Sequence, residues 1–384
     1  MNQCKKVSEA QASAKQNGVH GRHRILILML VACAIATLLP AGSVASADLG
    51  ISGNGSMTAT QVQQAPAIII TDLARYSDDA VALMMLLRSG VLDIKGVITT
   101  AGNVCAGEAA SETRRLLATL GRETVPVMPG RSMAWHEERR RYYRDIEMSS
   151  AWPPGYAGAF GAEVRCEVEA QRDLTEAPDI AVIGAAEFLI DTAKKSEGRL
   201  VVVLQGPATV LALALAKEPR LPELLGHVYA MGGNLRVPGN TTAYAEFNVW
   251  FDPEAMSALL KAGIALTLVP LDATRTVTYA PFGLDQLQKQ DPAARYLSDY
   301  LEFRQAGGRR EVAMWDEVLA AIVIDRSIVI RYTEQTLAVS IARDEEFGRL
   351  IELPMEAQFR PATIVLEVNG QKINKLISDL LLGK

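Results

Sequence analysis

Six short, nearly continuous apolar runs recur along this chain with helical stretches between them. They are AIIIT (67–71), IKGVITTAG (94–102), TVPVMPG (124–130), RLVVVLQ (199–205), HVYAMGG (227–233) and ALTLVPLDAT (265–274). A strand with apolar side chains on both sides must be covered on both faces, which helical crossovers between parallel strands achieve. The intervening stretches DDAVALMMLLRSG, SETRRLLATLG, IAVIGAAEFLIDTAKK, PATVLALALAK and DPEAMSALLKAG read as those helices. Gly90 stands where the first would end. The fold class is therefore α/β: an open, mostly parallel central sheet with helices on both faces. One stretch, 131–178, breaks the rhythm with the charged RSMAWHEERRRYYRD and the Gly- and aromatic-rich AWPPGYAGAF. An interruption of that length reads as a functional lid or a decorated loop.

The amino terminus obeys different rules. Residues 1–24 are polar and basic, Ile25–Leu39 is an apolar run, and Ala45-Ser46-Ala47 has the small-residue spacing of a cleavage site. Residues 1–47 are therefore read as a secretory signal peptide, with localisation secreted or periplasmic. An uncleaved anchor is the alternative, and Leu30-Val31-Ala32-Cys33 offers lipoprotein anchoring at Cys33 as a third. The leader carries five basic residues against Glu9, so a net charge of −5 for the whole chain becomes −9 beyond residue 47. No basic stretch resembles a nucleic-acid footprint, which argues against phosphate-backbone binding. Cys105 and Cys166 remain after the leader, either as a disulfide or as two buried thiols. Residues 48–65 read as a flexible linker and 66–384 as one large domain.

Ligands of parallel α/β sheets bind beyond the carboxyl ends of the strands. There the first run ends at Asp72, followed by Asp78-Asp79 at the start of a helix. Helix capping and the helix dipole account for Asp78 and Asp79 but not for Asp72. Three carboxylates so close suit a hard cation, which takes oxygen ligands. Asn103, Gln205 and Asn234 follow later strands, and GNTTAYAEFNVWFDPEA (239–255) adds Asn240, Glu246 and Asn248. Repeated amides and carboxylates suit sugar hydroxyls, which both donate and accept; any one alone reads as a turn or cap.

Together, Asp72 with Asp78-Asp79, TTAGN (99–103), GPAT (206–209), MGG (231–233), GN…AEFN…DPEA (239–255) and LDAT (271–274) resemble the inosine-uridine-preferring nucleoside hydrolase family, in its order over about residues 66–335. The resemblance implies Ca2+-dependent hydrolysis of the N-glycosidic bond of ribonucleosides, or of a related N-riboside, by attack of a metal-bound water. It implies Asp72, Asp79 and Asp316 as metal ligands, with the main-chain carbonyl of Thr209. Asp72 or Asp78 would be the catalytic base, and Asp78, Asn103, Asn240, Glu246 and Asn248 would contact ribose. Met231 and Trp315 complete the substrate-binding set. The implied partner is a small-molecule ribonucleoside, with homo-oligomers common among relatives and no stable membrane insertion after leader cleavage.

Three positions depart from the family pattern. Ile70 stands where an aspartate is frequent, the 73–77 turn is longer and lacks glycine, and Trp315 replaces a histidine that often protonates the leaving base. Indole supplies no acid, so Trp315 is expected to stack on the base or simply to pack. Beyond the leader only His136 and His227 remain. His227 reads as structural, whereas His136 lies in the 131–145 segment, either a lid that reaches the base or an exposed charged loop. A non-catalytic periplasmic nucleoside- or sugar-binding protein that retains the pocket is the alternative function.

Overall fold

The computed structural model describes residues 64–136, 138–161, 180–280, 291–306, 311–354 and 359–383. The leader, nearly all of the expected linker and Cys166 lie outside the described residues. Among these residues, nine strands form one sheet: β1 (Ala65–Thr71), β2 (Leu92–Thr99), β3 (Val127–Pro129), β4 (Leu200–Leu204), β5 (Leu225–Met231), β6 (Leu266–Val269), β7 (Val329–Val339), β8 (Leu350–Leu353) and β9 (Ala362–Val368). Their order is β3-β2-β1-β4-β5-β6-β9-β7-β8. The first six run parallel in the predicted class, with β1 beginning at Ala65, inside the range expected to be linker. β9 joins β6 in parallel, and β7 is antiparallel to both β9 and β8.

Alternation along β1 shows how the sheet is covered. Ile68 and Ile70 face one layer, with the helices Ile180–Lys195, Thr209–Lys217 and Pro253–Lys261. Ile69 faces the other, with Asp78–Ser89, Pro292–Ala306, Asp316–Ile324 and Gly370–Ile377. All three isoleucines are fully buried, as a doubly covered sheet demands. The helix Asp78–Ser89 buries eight consecutive residues, Asp79 to Leu86, and stops where Gly90 turns left-handed at φ +66°.

β1 pairs with β2 on one side and β4 on the other, so the winding direction reverses between β1 and β4. A crevice opens at such a reversal, outside the carboxyl ends of the strands. Asp72 and Gln205 follow directly at those two ends.

A third cluster sits over this end of the sheet, built from Tyr142, Tyr143, Phe160, Phe247, Trp250, Phe251 and Phe347. Arg139 is buried within it, pairing with Glu147 at 2.8 Å and donating to the Trp250 carbonyl at 3.0 Å. Glu147 in turn accepts from the Trp250 indole at 2.9 Å. The 131–145 segment is thus packed against the domain rather than being an exposed charged loop.

Candidate active site

Asp72 lies between two glycines. A Cβ on Gly102 would sit 2.1 Å from Asp72 Oδ2, and one on Gly206 would sit 2.6 Å from Oδ1. Only hydrogen at both positions lets β1, β2 and β4 converge on this carboxylate. Asp72 Oδ2 accepts the Asn103 backbone N–H at 2.6 Å, whereas its buried Oδ1 has no partner. Burial pushes its carboxyl up to about 7.

Asp79 is fully buried and accepts from the Thr71 hydroxyl at 2.6 Å and from Asn103 Nδ2 at 3.3 Å. The cap of this helix is Ser77, without a side-chain bond, so Asp78 and Asp79 occupy the first turn and neither serves as the cap. Asp316 opens the helix Asp316–Ile324, which packs in the same layer as Asp78–Ser89. One carboxylate oxygen from each of Asp78, Asp79 and Asp316 lies within 4.8 Å of the others. Burial, then mutual repulsion, holds Asp79 and Asp316 well above the usual carboxylate range. Asp78 is also raised by burial, partly opposed by the positive charge of Arg304. Asp316 Oδ1, like Asp72 Oδ1, is buried and unpartnered. Two orphaned carboxylate oxygens among repelling acids fit a cation with oxygen ligands.

Above this floor is a cavity of about 510 Å³. Asp72, Asp78, Asn103, Met231, Asn240, Glu246, Asn248, Trp315 and Asp316 all line it, bringing together residues from five separate sequence motifs. Asp79 and Thr209 are not among the lining residues. The Thr209 hydroxyl donates to Asp252 at 2.6 Å, fixing the loop after β4.

Glu246 caps the helix Phe247–Phe251, accepting the N–H groups of Asn248 and Val249 and, across the loop after β5, that of Gly233 at 2.8 Å. Burial pushes this carboxyl up to about 7. Asn248 donates through Nδ2 to the Met231 carbonyl at 3.2 Å, and Asn240 Oδ1 accepts the Phe247 N–H at 2.9 Å. Each amide therefore spends one end on the backbone, which fixes its direction, and keeps the other end for the cavity.

Sequence reasoning placed Gln205 at a strand end without giving it a role and did not select Tyr156, Arg304 or Glu311, all of which also line the cavity. Gln205 is 1% exposed, and neither atom of its amide has a partner. Its signal was a polar residue closing the apolar run LVVVL. The Tyr156 hydroxyl donates to Asn103 Oδ1 at 3.1 Å, so the 131–178 interruption does reach the site, through the AWPPGYAGAF portion. Burial, then the three aspartates, pushes this phenol up to about 12. Arg304 comes from the helix Pro292–Ala306, on which no motif falls.

Neither histidine reaches this cavity. His136 stacks on Trp135 and lines a separate pocket with Arg139 and Tyr142. His227 bonds the Thr267 hydroxyl at 2.9 Å, and burial holds it down to about 4. Cys105 is buried and disulfide-bonded.

A family model described as inosine-uridine preferring nucleoside hydrolase matches residues 67–375. The pyrimidine-specific ribonucleoside hydrolase RihA of Klebsiella pneumoniae is 28% identical over 239 residues, which cover 62% of this chain and 71% of that one. Its namesake from Shewanella woodyi is 30% identical over 236 residues, 61% and 70% of the two chains. Among solved structures, a purine-preferring ribonucleoside hydrolase from Gardnerella vaginalis superposes with a TM-score of 0.66 at 22% identity, covering 83% of this chain and 98% of that one.

Proposed function

Because this chain belongs to the inosine-uridine preferring nucleoside hydrolase family, we propose that it cleaves ribonucleosides, or a related N-riboside, to free base and ribose with a calcium ion at its aspartate floor. It is a glycosidase acting on N-glycosyl compounds. The observation that carries the calcium-dependent reading is the cluster of Asp78, Asp79 and Asp316 within 4.8 Å, beside the unpartnered oxygens of Asp72 and Asp316. Asp72, Asp79 and Asp316 would hold the ion by carboxylate and Thr209 by its main-chain carbonyl. Such an ion supplies Lewis acidity that orients the attacking water and lowers its pKa.

The remaining work belongs to the side chains. Asp72 or Asp78 takes the proton as the water oxygen bonds to the anomeric carbon. As the C–N bond lengthens, the sugar gains oxocarbenium character, which the anionic floor stabilises. Asn240, Glu246 and Asn248 receive the ribose hydroxyls in directions fixed by their backbone bonds, and Asn103 in one fixed by Asp79 and Tyr156, so little reorganisation is needed. Met231 and Trp315 supply apolar surface, and Trp315 stacks on the base. The signal peptide read at 1–47 supports a reaction in the periplasm or outside the cell.

Incubating the protein with a panel of purine and pyrimidine ribonucleosides in calcium, with assay of reducing sugar, tests this reading. Release of ribose that Asp78→Ala abolishes supports it. Melting shifts with nucleosides but no product would favour the non-catalytic binder, for which Trp315 in place of an acid is the motivating feature.

A further inference from the structure

Breaking an N-glycosidic bond leaves the electron pair on the base nitrogen, so the departing base needs a positive charge or a proton. Among the described residues, no histidine lines the cavity. Trp315 carries no acid, and the Tyr156 phenol is both held near 12 and committed to Asn103. We propose that Arg304 receives the departing base as a fixed guanidinium, an assignment that rests on the hydrolase reading above.

Three observations carry it. Arg304 lines the same cavity as Trp315 and the aspartates. Its guanidinium carbon lies 5.2 Å from the centre of the Trp315 ring and 5.8 Å from that of Tyr300, so two aromatic faces hold it. Its buried Nε has no hydrogen-bond partner, and among the described residues it forms no ion pair, even though Glu311 lines the cavity too. A half-buried cation whose buried Nε is an unspent donor, beside the one indole in the cavity, is matched to an anion that exists only as the bond breaks.

The step balances without an additional reactant. Water oxygen bonds to the anomeric carbon and its proton passes to the aspartate. The C–N bond breaks, and the pair goes to the base, which leaves as an anion held by N–H donation from Arg304. Arginine keeps its proton at any working pH, so the base is protonated by solvent on release. Arg304 therefore acts by charge and hydrogen bonding rather than by proton transfer.

The test compares uridine and inosine, whose bases are poor leaving groups, with 4-nitrophenyl β-ribofuranoside, whose phenolate leaves unaided. Arg304→Met is expected to lower kcat/KM on the nucleosides by about 100-fold, the scale for losing one transition-state donor, and to change the aryl riboside by less than about fivefold. Arg304→Lys, which keeps the charge but not the planar fork, is expected to recover part of the nucleoside rate and serves as the informative variant should the methionine variant not fold. Equal losses on both substrate types, or no loss on either nucleoside, would overturn the assignment while leaving the hydrolase reading intact. A parent protein that cleaves none of the three would remove both.

Discussion

Gly102 approaches Asp72 so closely that a methyl group in place of its hydrogen would sit 2.1 Å from Oδ2. The position of this carboxylate is consequently set by what its neighbours lack. Gly102→Ala is expected to displace Asp72 and lower kcat by about 100-fold, the scale for misplacing a catalytic group by about 1 Å. Steady-state kinetics alongside calcium titration by calorimetry would check it. Unchanged kinetics would show that the site does not depend on this convergence.

Gln205 buries two polar amide atoms that bond to nothing in the protein. Such atoms cost stability unless a ligand satisfies them. Gln205→Leu is expected to raise unfolding free energy by about 1 kcal/mol while increasing KM for the nucleoside. Urea denaturation and initial rates on the same preparation would read the two opposed effects, and a fall in stability would count against the ligand-facing role.

Glu246 should make the metal-free protein sensitive to pH near neutrality. Its folded carboxyl is raised from 4.5 to about 7, so the folded state binds the proton more tightly than the unfolded chain. The resulting stabilisation is complete below about pH 4.5 and is lost as pH rises through about 7. Asp72, raised from 3.8 to about 7, acts in the same direction. Melting temperatures measured in chelator are expected to fall across this window, and Glu246→Gln should flatten part of the slope.

Arg139 and Glu147 form a buried ion pair inside an aromatic shell, the Arg139 side chain being 1% exposed. Truncating one member leaves the other charge buried and unpaired, which typically costs ~3–5 kcal/mol. Arg139→Ala is expected to lose stability on that scale in chemical denaturation. A loss below about 1 kcal/mol would mean that water reaches the pair.

His136 and His227 stand outside the cavity, so His136→Ala and His227→Gln should each leave kcat/KM within about twofold, the size of effect expected from substitutions remote from the reacting atoms. A hundredfold loss from His136→Ala would instead require the 131–145 segment to move onto the site.

Much of this arrangement could be read from sequence because parallel strands end where the chemistry sits. Asp72, Asn103, Met231 and Asn248 each follow or close an apolar run or sit in a dense polar motif, and all four line the cavity. Arg304 carried no such signal, since it is one cation near the end of an ordinary amphipathic helix whose Trp315 contact is set by tertiary packing. β7 was equally hidden: most of its residues are half-buried or exposed, so no continuous apolar run marks it. Tyr156 stood inside a stretch recognised as an interruption, but its reach to Asn103 goes with a tertiary ring contact to Phe247.

The sheet order has a consequence for how the chain is assembled. β9 is the last strand to leave the ribosome, yet it lies between β6 and β7. The β7–β8 ribbon therefore joins the sheet only through β9, and β6 stays an open parallel edge until residue 368 has emerged. Any chain that ends before β9 keeps every residue of the proposed site but loses the strand that joins the two parts of the sheet, so the framework behind a site made by residues far upstream is closed only by β9.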